Sequence, residues 1–339
     1  MNTHHPALEI QYTLDPSELP LRIDRFLRDY LYQHKNLELS RSELKHLFES
    51  QHVLLSGLPT SASTLLKPGI LKIQVLHLPE KTLQQASPAL KTRAEILYED
   101  SHLLILNKPS GLPSVPHSAM ETETAVGVAL AHSPELRSIG RNPLEPGLLH
   151  RLDTETSGAL VFAKTQLEFD RLLSEWKTPH TQKFYRALVE AFSPLPKKLP
   201  HSCNLPLGHD LKSKKRMRVA TPDQLYRVRG KPLPAHTDLL QFQEVQRFSI
   251  QTQHPLFDLT LQIHTGVMHQ IRTHLSASDW PIVGDPLYHP SSKNSPPPVT
   301  RLWLHAWKIK LPLPSGKTLE VTAPLPDQWP LTDASSAHE

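Results

Sequence analysis

The sequence predicts an α+β protein made of a small, helix-rich front unit and a larger rear unit built on a mixed, largely antiparallel sheet. Its 339 residues are enough for about two domains of ordinary size, each able to bury a core. Two helical patterns follow one another closely near the N-terminus. Behind them, short strand-like stretches dominate, and they seldom alternate with helices in the βαβ order of a parallel sheet.

Composition narrows the class of protein further. The chain has 33 Pro against 12 Gly, which indicates stiff loops and turns rather than flexible linkers. Its net charge of only +4 means that any surface for a polyanion must come from local clusters of cations. The single Cys203 excludes an internal disulfide framework and a CxxC metal or redox motif. Since no signal-peptide pattern or membrane-length apolar run is present, we expect a cytoplasmic protein without a membrane partner.

The front unit is predicted for residues 20–78, after a loose leader at residues 1–19. One helix is indicated by apolar residues at helical spacing, namely Ile23, Phe26, Leu27, Tyr30 and Leu31. A second helix is indicated by Ser40 and Glu43, which have the spacing of a capping box. Short strands joined by turns are predicted at residues 53–55 and 71–75.

These two helices and the residues next to them also carry several cations, among them Arg22, Arg25, Arg41 and Lys45. A basic face of this kind is either ordinary solvated surface or a contact for a polyanion. The charges alone leave both interpretations open.

The rear unit is predicted for residues 95–330, between a linker at residues 79–94 and a disordered tail at residues 331–339. It opens with a predicted hairpin whose strands cover residues 96–98 and 103–106. The remaining elements are a helix at residues 169–176 and strands at residues 158–163, 184–189, 259–263 and 303–311.

The densest polar cluster is His150–Asp153, which comes just before the apolar strand at residues 158–163. A carboxylate on such a loop is held by a rigid scaffold while it stays reachable, so Asp153 is a candidate catalytic group. Arg151 beside it can keep the carboxylate ionised or contact a phosphate. The alternative is an ordinary turn with a surface ion pair. A glycosidase needs two carboxylates, and Glu155 is only a weak candidate for the second.

A second polar cluster covers residues 264–274, where three His recur every five positions. Five residues place them about 140° apart on a helix and not on one face, so no metal site is expected there. Arg272 in this segment either pairs with a catalytic carboxylate or is an ordinary surface residue.

A third feature is the run Lys212–Arg218, which has five cations in seven residues. It is either a solvated run or a polyanion contact, and Lys214, Lys215 and Arg216 lie at its centre. The chain has no GxSxG, Walker or GxGxxG motif, so neither Ser/His/Asp catalysis nor a nucleotide cofactor is expected.

In their order along the chain, these motifs resemble those of the RluA-like pseudouridine synthases, which convert uridine to pseudouridine in ribosomal or transfer RNA. The matching segments are Ile96–Gly111, His150–Asp153 with Thr156–Gly158, Lys183–Ala187, His269–Arg272, Gly284–Tyr288, Leu304–Ala306 and Ala323–Pro326. The front unit is similar to the small RNA-binding domain shared with a small-subunit ribosomal protein, the S-four-like domain. The resemblance therefore extends over most of the chain.

The resemblance implies a pseudouridine synthase fold for the rear unit, with Asp153 as the catalytic carboxylate. Arg151, Tyr185 and Arg272 are its implied active-site support. Asp153 attacks the anomeric carbon of a flipped uridine or removes the ribose 2′ proton, and Arg272 pairs with Asp153. Tyr185 stacks on the uracil and assists proton removal from ring carbon five.

The resemblance also implies the partners. The protein acts as a monomer on ribosomal or transfer RNA and needs no metal or cofactor. The implied RNA contacts are Arg22, Arg25, Arg41, Lys45, Lys214, Lys215 and Arg216. Val267-Met268 stands where the family usually has Arg-Thr, which implies that one phosphate or loop contact is missing. The alternative is a non-catalytic RNA-binding or RNA-chaperone protein that retains the fold, and the presence of Asp153, Tyr185 and Arg272 argues against it.

Overall fold

The computed structural model describes residues 8–35, 37, 39, 41–78, 88–116, 121–245, 252, 254–290, 301–327, 329 and 330. The chain divides into two compact units, Met1–Leu83 with Arg141–Glu145 and Gln84–Gly140 with Pro146–Glu339. Within the described ranges, no helix has the length and apolar character needed to cross a lipid bilayer.

The first unit is a four-stranded antiparallel sheet with two helices. Its strands are β1 (Leu8–Leu14), β2 (Val53–Leu55), β3 (Leu58–Pro59) and β4 (Gly69–Val75), in the order β1-β4-β2-β3. Its helices are α1 (Ile23–Lys35) and α2 (Arg41–Glu49), which confirms the two predicted helices. Ser40, the predicted cap of α2, lies outside the described residues. The α1 residues Ile23 and Leu27 join Ile10 and Ile73 of the sheet in one core.

The predicted loose leader is wrong for residues 8–14, because they form β1. This strand pairs with β4 along its whole length. Leu8, Ile10 and Leu14 are buried, whereas Glu9 and Gln11 between them are exposed. That alternation is the period of two of a strand with one buried face. The alternation is also present in the sequence, where Leu8, Ile10, Tyr12 and Leu14 are apolar, so the leader interpretation overlooked a strand signal.

The second unit is built on a nine-stranded sheet and a separate three-stranded sheet. Its strands are β5 (Glu95–Glu99), β6 (Leu103–Lys108), β7 (Ser157–Ala163), β8 (Gln182–Glu190), β9 (His201–Cys203), β10 (Leu207–Asp210), β11 (Met217–Val219), β12 (Val228–Leu233), β13 (Thr237–Glu244), β14 (Leu256–Ile263), β15 (Leu304–Pro312) and β16 (Thr318–Thr322). Its helices are α3 (Ala125–His132), α4 (Gln166–Glu175) and α5 (Gln270–Ala277).

The pairing of these strands confirms the predicted α+β class. The large sheet has the order β5-β6-β7-β15-β8-β14-β13-β9 with β16 on β15, and the small sheet has the order β11-β10-β12. Among the described strands, β7 and β15 pair in parallel and the other pairs are antiparallel. The sheet is therefore mixed and largely antiparallel, as the scarcity of βαβ intervals predicts.

The predicted linker at residues 79–94 is wrong in its second half. Residues 79–87 lie outside the described residues, and so does the predicted tail at residues 331–339. Pro88–Arg93 forms a short 3-10 helix, and Leu90 and Ala94 are buried. Two apolar residues in a polar, proline-containing stretch give no periodic signal, so their packing in the second unit could not be predicted.

The centre of the large sheet brings three distant segments together. β7, β15, β8 and β14 lie in this order, so the loop before β7, the middle of β8 and the segment after β14 approach one another. β7 is buried along its whole length, which gives the loop before it a fixed end. These three segments carry Asp153, Tyr185 and Arg272, respectively.

Candidate active site

Asp153 lies in a loop whose backbone is fixed on both sides. Leu152 donates its N–H to Ser114 Oγ over 3.0 Å, and the Ser114 hydroxyl donates to the Leu152 carbonyl over 2.6 Å. On the other side, Thr154 accepts a hydrogen bond from Gly111 N over 2.9 Å, and Glu155 O accepts one from a serine hydroxyl over 2.7 Å. The Asp153 side chain itself is 26% exposed. A carboxylate that is reachable on a rigid loop suits a group that reacts with a substrate.

Lys108 supplies a further brace, which the sequence interpretation missed. Its side chain is fully buried at the end of β6, and its ammonium donates to the carbonyls of Pro109, Leu112 and Thr154 over 3.0, 2.6 and 2.9 Å. Burial lowers the pKa of Lys108 to about 7, against the opposing charge of Asp153. The lysine therefore ties the loop after β6 to the loop that carries Asp153.

His150 anchors the start of the same loop. Its Nε2 accepts a hydrogen bond from Val161 N over 3.2 Å, and its ring stacks on Trp176 at 4.8 Å between centroids. Burial, together with the charge of Lys183, lowers the pKa of His150 to about 3, so the ring stays neutral and keeps its acceptor. Arg151, the next residue, lies on the exposed side of the loop.

Arg272 joins Asp153 to a second carboxylate. Its Nη1 donates to Asp153 Oδ2 over 2.9 Å. Its Nε and Nη2 donate to the two oxygens of Asp285, each over 2.8 Å, and Asp285 is fully buried. Although burial opposes a charge here, the bonds to Asp285 and the charges of both carboxylates raise the pKa of Arg272. A permanently charged guanidinium therefore faces Asp153 in one fixed orientation.

His269 and Tyr288 complete the surroundings of Asp153, and neither was singled out as a site residue from the sequence. His269 Nε2 lies 3.7 Å from Asp153 Oδ2, and its Nδ1 lies 3.0 Å from the Tyr288 hydroxyl. This hydroxyl accepts the N–H of Met217 over 2.7 Å. In the tautomer in which Tyr288 donates its own proton to Nδ1, a neutral His269 carries its proton on Nε2, toward Asp153.

The backbone and charge state of His269 support this arrangement. His269 precedes α5 with φ of 53°, in the left-handed region that a non-glycine residue seldom occupies. Burial lowers the pKa of His269 despite the opposing charge of Asp153, and Arg272 adds to the effect. The imidazole is therefore neutral near pH 7 and acts as a directed N–H donor. Its proximity to Asp153 spans 116 positions of chain, which is why spacing gave no signal.

Tyr185 lies on β8 opposite Leu261 of β14 and is 7% exposed. Burial, with a smaller effect from the charge of Asp153, raises the pKa of Tyr185 well above its ordinary value. The phenol is thus neutral at any physiological pH. It offers the site a ring surface and not a phenolate.

The predicted cations of the first unit already have acidic neighbours. Arg22 bonds to Asp24 at 2.7 Å, Arg25 lies 3.9 Å from Asp29, and Lys45 lies 3.3 Å from Glu49. The side chain of Arg41 lies outside the described residues. Exposed pairs of this kind are worth less than about 1 kcal/mol, so phosphates can compete for these cations.

The basic run of the second unit divides into two groups. Lys214 and Lys215 are exposed in the turn between β10 and β11. Arg216 instead lies over the ring of Tyr288, with its guanidinium carbon 5.1 Å from the ring centroid. The run therefore reaches from open surface to the surroundings of Asp153. The nearby Val267 packs on the core of this small sheet, and Met268 is 40% exposed.

Comparison with known proteins places this geometry in a family. Residues 102–277 match the family described as RNA pseudouridylate synthase. An uncharacterised RNA pseudouridine synthase of Synechocystis is 33% identical over 95% of this chain and 91% of its own length. Ribosomal large subunit pseudouridine synthase D of Nitrosomonas europaea is 31% identical over 94% of this chain and 85% of its own length.

The fold agrees with this. The solved structure of human RNA pseudouridylate synthase domain containing 1 has a TM-score of 0.54 and 22% identity, over 69% of this chain and 84% of that one. Fold and motifs together define an enzyme that modifies RNA. The chain belongs to the RNA pseudouridine synthase family, which confirms the resemblance drawn from its motifs. It is an isomerase that converts uridine in RNA to pseudouridine.

Proposed function

We propose that Asp153 is the catalytic carboxylate of this synthase and that Arg272 holds it in place. The observation that carries the proposal is the 2.9 Å hydrogen bond from Arg272 Nη1 to Asp153 Oδ2, made by a guanidinium whose other edge is fixed by buried Asp285. Asp153 also stands next to a neutral imidazole and a buried phenol ring. A single reachable carboxylate with fixed donors around it suits attack on a sugar.

The reaction exchanges one bond of the uracil for another. The target uridine must leave the base stack before any group in a protein loop can reach its sugar. Asp153 then attacks C1′ or removes the proton on C2′, and the bond from C1′ to N1 of the uracil breaks. The detached uracil turns and C1′ bonds to C5, while the Asp153–C1′ ester breaks in the first route or C2′ takes back its proton in the second. C5 then loses its proton and N1 gains one. No atom is added and nothing is oxidised, so one carboxylate is enough and no cofactor is needed.

Tyr185 supplies the surface on which the uracil stacks while it is detached. Its ring is buried in the middle of β8, and its raised pKa keeps the phenol neutral. A neutral phenol is a poor base, so we do not assign it the removal of the C5 proton. Arg151, exposed on the loop that carries Asp153, suits contact with the phosphate next to the flipped nucleotide.

We propose a structured ribosomal RNA as the substrate, since several named relatives are ribosomal large subunit synthases. Lys214, Lys215 and Arg216 would contact its phosphates beside the site. Residues 20–78 would bind RNA as an S-four-like domain, through Arg22, Arg25, Arg41 and Lys45. We further propose that a catalytic domain at residues 95–330 works in a cytoplasmic monomer.

The test compares three proteins on total RNA from cells that lack this enzyme. Pseudouridines are mapped after incubation with wild type, Asp153→Asn and Glu155→Gln. Glu155→Gln is the matched control, because it removes a carboxylate two residues along the same loop and keeps the backbone bond to Ser110. We expect conversion at defined sites of large-subunit RNA by wild type and the control. Asp153→Asn should be slower by about three orders of magnitude or more.

The outcomes separate the parts of the proposal. Equal conversion by Asp153→Asn and wild type would remove Asp153 from the chemistry. Conversion confined to transfer RNA would overturn the ribosomal substrate and leave Asp153 in place. RNA binding without conversion by any of the three would favour the non-catalytic RNA-binding alternative. Equal RNA affinity of wild type and Asp153→Asn, measured by filter binding, shows that a rate loss is chemical.

A further inference from the structure

A cluster of three metal-ligating side chains lies outside the candidate active site. It consists of His236, just before β13, Asp238 in β13, and His264, just after β14. His236 Nε2 lies 2.9 Å from Asp238 Oδ1, and His264 Nε2 lies 2.8 Å from Asp238 Oδ2. One nitrogen from each ring and one carboxylate oxygen all fall within 4.8 Å of one another. We refer to these residues as the His–Asp–His cluster.

The fold holds this cluster together without help from its side chains. β13 and β14 are antiparallel neighbours, and His264 N donates to the His236 carbonyl over 3.1 Å. The two imidazoles therefore stack, with 4.2 Å between their centroids. Asp238 follows His236 by two residues, which puts both on the same face of the sheet. His264 thus meets residues of a neighbouring strand rather than His269 and His274, its neighbours in sequence.

From this geometry we infer that the His–Asp–His cluster is a binding site for one divalent transition-metal ion, with Zn²⁺ as the expected occupant. Two imidazole nitrogens and a carboxylate oxygen are ligands that this class of ion prefers. Ligands at about 2.1 Å from a tetrahedral ion lie about 3.4 Å apart. The two nitrogen–oxygen pairs here, at 2.9 and 2.8 Å, therefore have to open by about half an ångström to take the ion in place of their hydrogen bonds.

The charge of Asp238 and the exposure of the two imidazoles favour the binding of a metal ion. Although burial opposes it, hydrogen bonds from Ser202, His264 and His236 lower the pKa of Asp238, so the carboxylate is ionised. Ser202 Oγ donates to Asp238 Oδ1 over 2.6 Å, the kind of outer hydrogen bond that orients a ligating carboxylate. The side chains of His236 and His264 are 38% and 37% exposed, which leaves room for water on the open side of the ion.

An ion here would act on the segment that leads into α5. The backbone N–H of His236 donates a hydrogen bond to Thr265 Oγ1 over 2.9 Å, and the His236 carbonyl accepts one from Gln270 Nε2 over 2.9 Å. A metal bond between His236 and His264 would thus stiffen the segment at residues 264–270, which ends beside Asp153. The site is structural and takes no part in bond exchange. The inference of a metal site does not depend on the proposed function.

The experiment titrates Zn²⁺ into the full chain, prepared without an affinity tag, by isothermal calorimetry at pH 7.5. Wild type is compared with His264→Gln, Asp238→Asn and His180→Gln. His180 is the matched control, because its Nδ1 pairs with Glu175 at 2.9 Å and this pair belongs to no group of three metal-ligating side chains among the described residues. We expect one equivalent of tightly bound Zn²⁺ in wild type and His180→Gln. His264→Gln and Asp238→Asn should bind at least roughly tenfold more weakly.

Two further readouts keep the test decisive. Zn²⁺ should raise the melting temperature of wild type and His180→Gln but not of His264→Gln, and circular dichroism without metal reports whether each variant is folded. Co²⁺, used as a probe, should give the visible absorption that imidazole and carboxylate ligands produce. Absence of a one-equivalent site, or equal Zn²⁺ affinity in wild type and His264→Gln, would overturn the inference. If His264→Gln does not fold, Ser202→Ala replaces it, because Ser202 orients Asp238 without being a ligand. Loss of the Co²⁺ absorption in folded Ser202→Ala would support the site. An unchanged spectrum would count against it.

Discussion

Asp285 accepts two hydrogen bonds of 2.8 Å from Nε and Nη2 of Arg272, and the remaining nitrogen, Nη1, donates to Asp153. Asp285 is itself oriented by the N–H groups of Leu287 and Tyr288, at 2.9 and 3.0 Å. The position of the candidate catalytic carboxylate thus depends on a second, buried carboxylate with no access to substrate. This chain of contacts makes Asp285 a positioning residue.

Asp285→Asn should therefore lower the rate of pseudouridine formation by about a hundredfold, with little change in RNA affinity. In Asn one of the two carboxylate oxygens is replaced by an NH₂ group, which donates and cannot accept from the guanidinium, so Arg272 loses one of its two parallel hydrogen bonds and with it its fixed orientation. Single-turnover conversion and filter binding measure the two quantities. Asp258→Asn is the control, because Asp258 is an equally buried partner of an arginine, Arg186, outside the site. A similar rate loss in folded Asp258→Asn would mean that general loosening, and not orientation, explains the effect.

Tyr288→Phe tests the hydrogen bonds around His269. The change keeps the ring under Arg272 but removes the hydroxyl that accepts from Met217 N and donates to His269 Nδ1. The buried Met217 N–H then lacks an acceptor, at a cost of about 1–3 kcal/mol of unfolding free energy. We expect that loss in urea unfolding, and a several-fold lower conversion rate because His269 is free to change tautomer. Unchanged stability and rate would show that neither hydrogen bond of the Tyr288 hydroxyl supports the site.

The sequence was sufficient to single out the candidate site residues that lie inside short motifs. Asp153, Arg151, Tyr185 and Arg272 each stand in a segment that could be recognised locally. Their supports could not be recognised, because each joins segments far apart in the chain. Lys108 bonds to Thr154 across 46 positions, and this contact exists only once β6 and β7 have paired.

The same limit applied to the fold. Strands with continuous apolar runs, such as β7, were predicted within about a residue, since burial on both faces leaves a strong signal. β1 was missed although its alternate residues are apolar, because the prolines and histidines around it led to the interpretation of residues 1–19 as one loose leader. The short 3-10 helix at Pro88–Arg93 was missed because its packing rests on Leu90 and the adjoining Ala94 alone. The His–Asp–His cluster depends on the register between β13 and β14, which the spacing of residues within either strand does not reveal.

His305 should make the protein sensitive to acid. It is 1% exposed on β15, and burial, aided by the charge of Arg301, lowers the pKa of His305 to about 4. The unfolded chain takes up this proton near pH 6.5 and the folded chain only near pH 4, so stability is complete above pH 6.5 and falls between those values. The expected loss is up to about 1.4 kcal/mol per pH unit, or roughly 3 kcal/mol in all.

His305→Asn isolates this effect. The Asn carbonyl oxygen can accept the hydrogen bond that Ser157 Oγ makes with His305 Nδ1 over 2.8 Å, but it does not titrate. Urea unfolding from pH 4 to pH 7.5 should show a flatter pH dependence for His305→Asn than for wild type. Parallel curves for wild type and His305→Asn would refute the assignment.

Lys214 and Lys215 should contribute to RNA affinity through charge alone. Both are exposed in the turn between β10 and β11, next to Arg216, which reaches toward the site over Tyr288. Each phosphate that a cation neutralises adds about 0.7–0.9 to the slope of log affinity against log salt concentration. Replacing both lysines with Ala should therefore lower that slope by about 1.5 and weaken binding most at low salt.

The slope is measured by filter binding to ribosomal RNA between 50 and 300 mM KCl. The control is Lys317→Ala, which removes an exposed lysine in the turn between β15 and β16. The conversion rate at saturating RNA should equal that of wild type, because neither lysine touches Asp153 or its supports. A salt slope equal to that of wild type would show that the turn does not contact the phosphates.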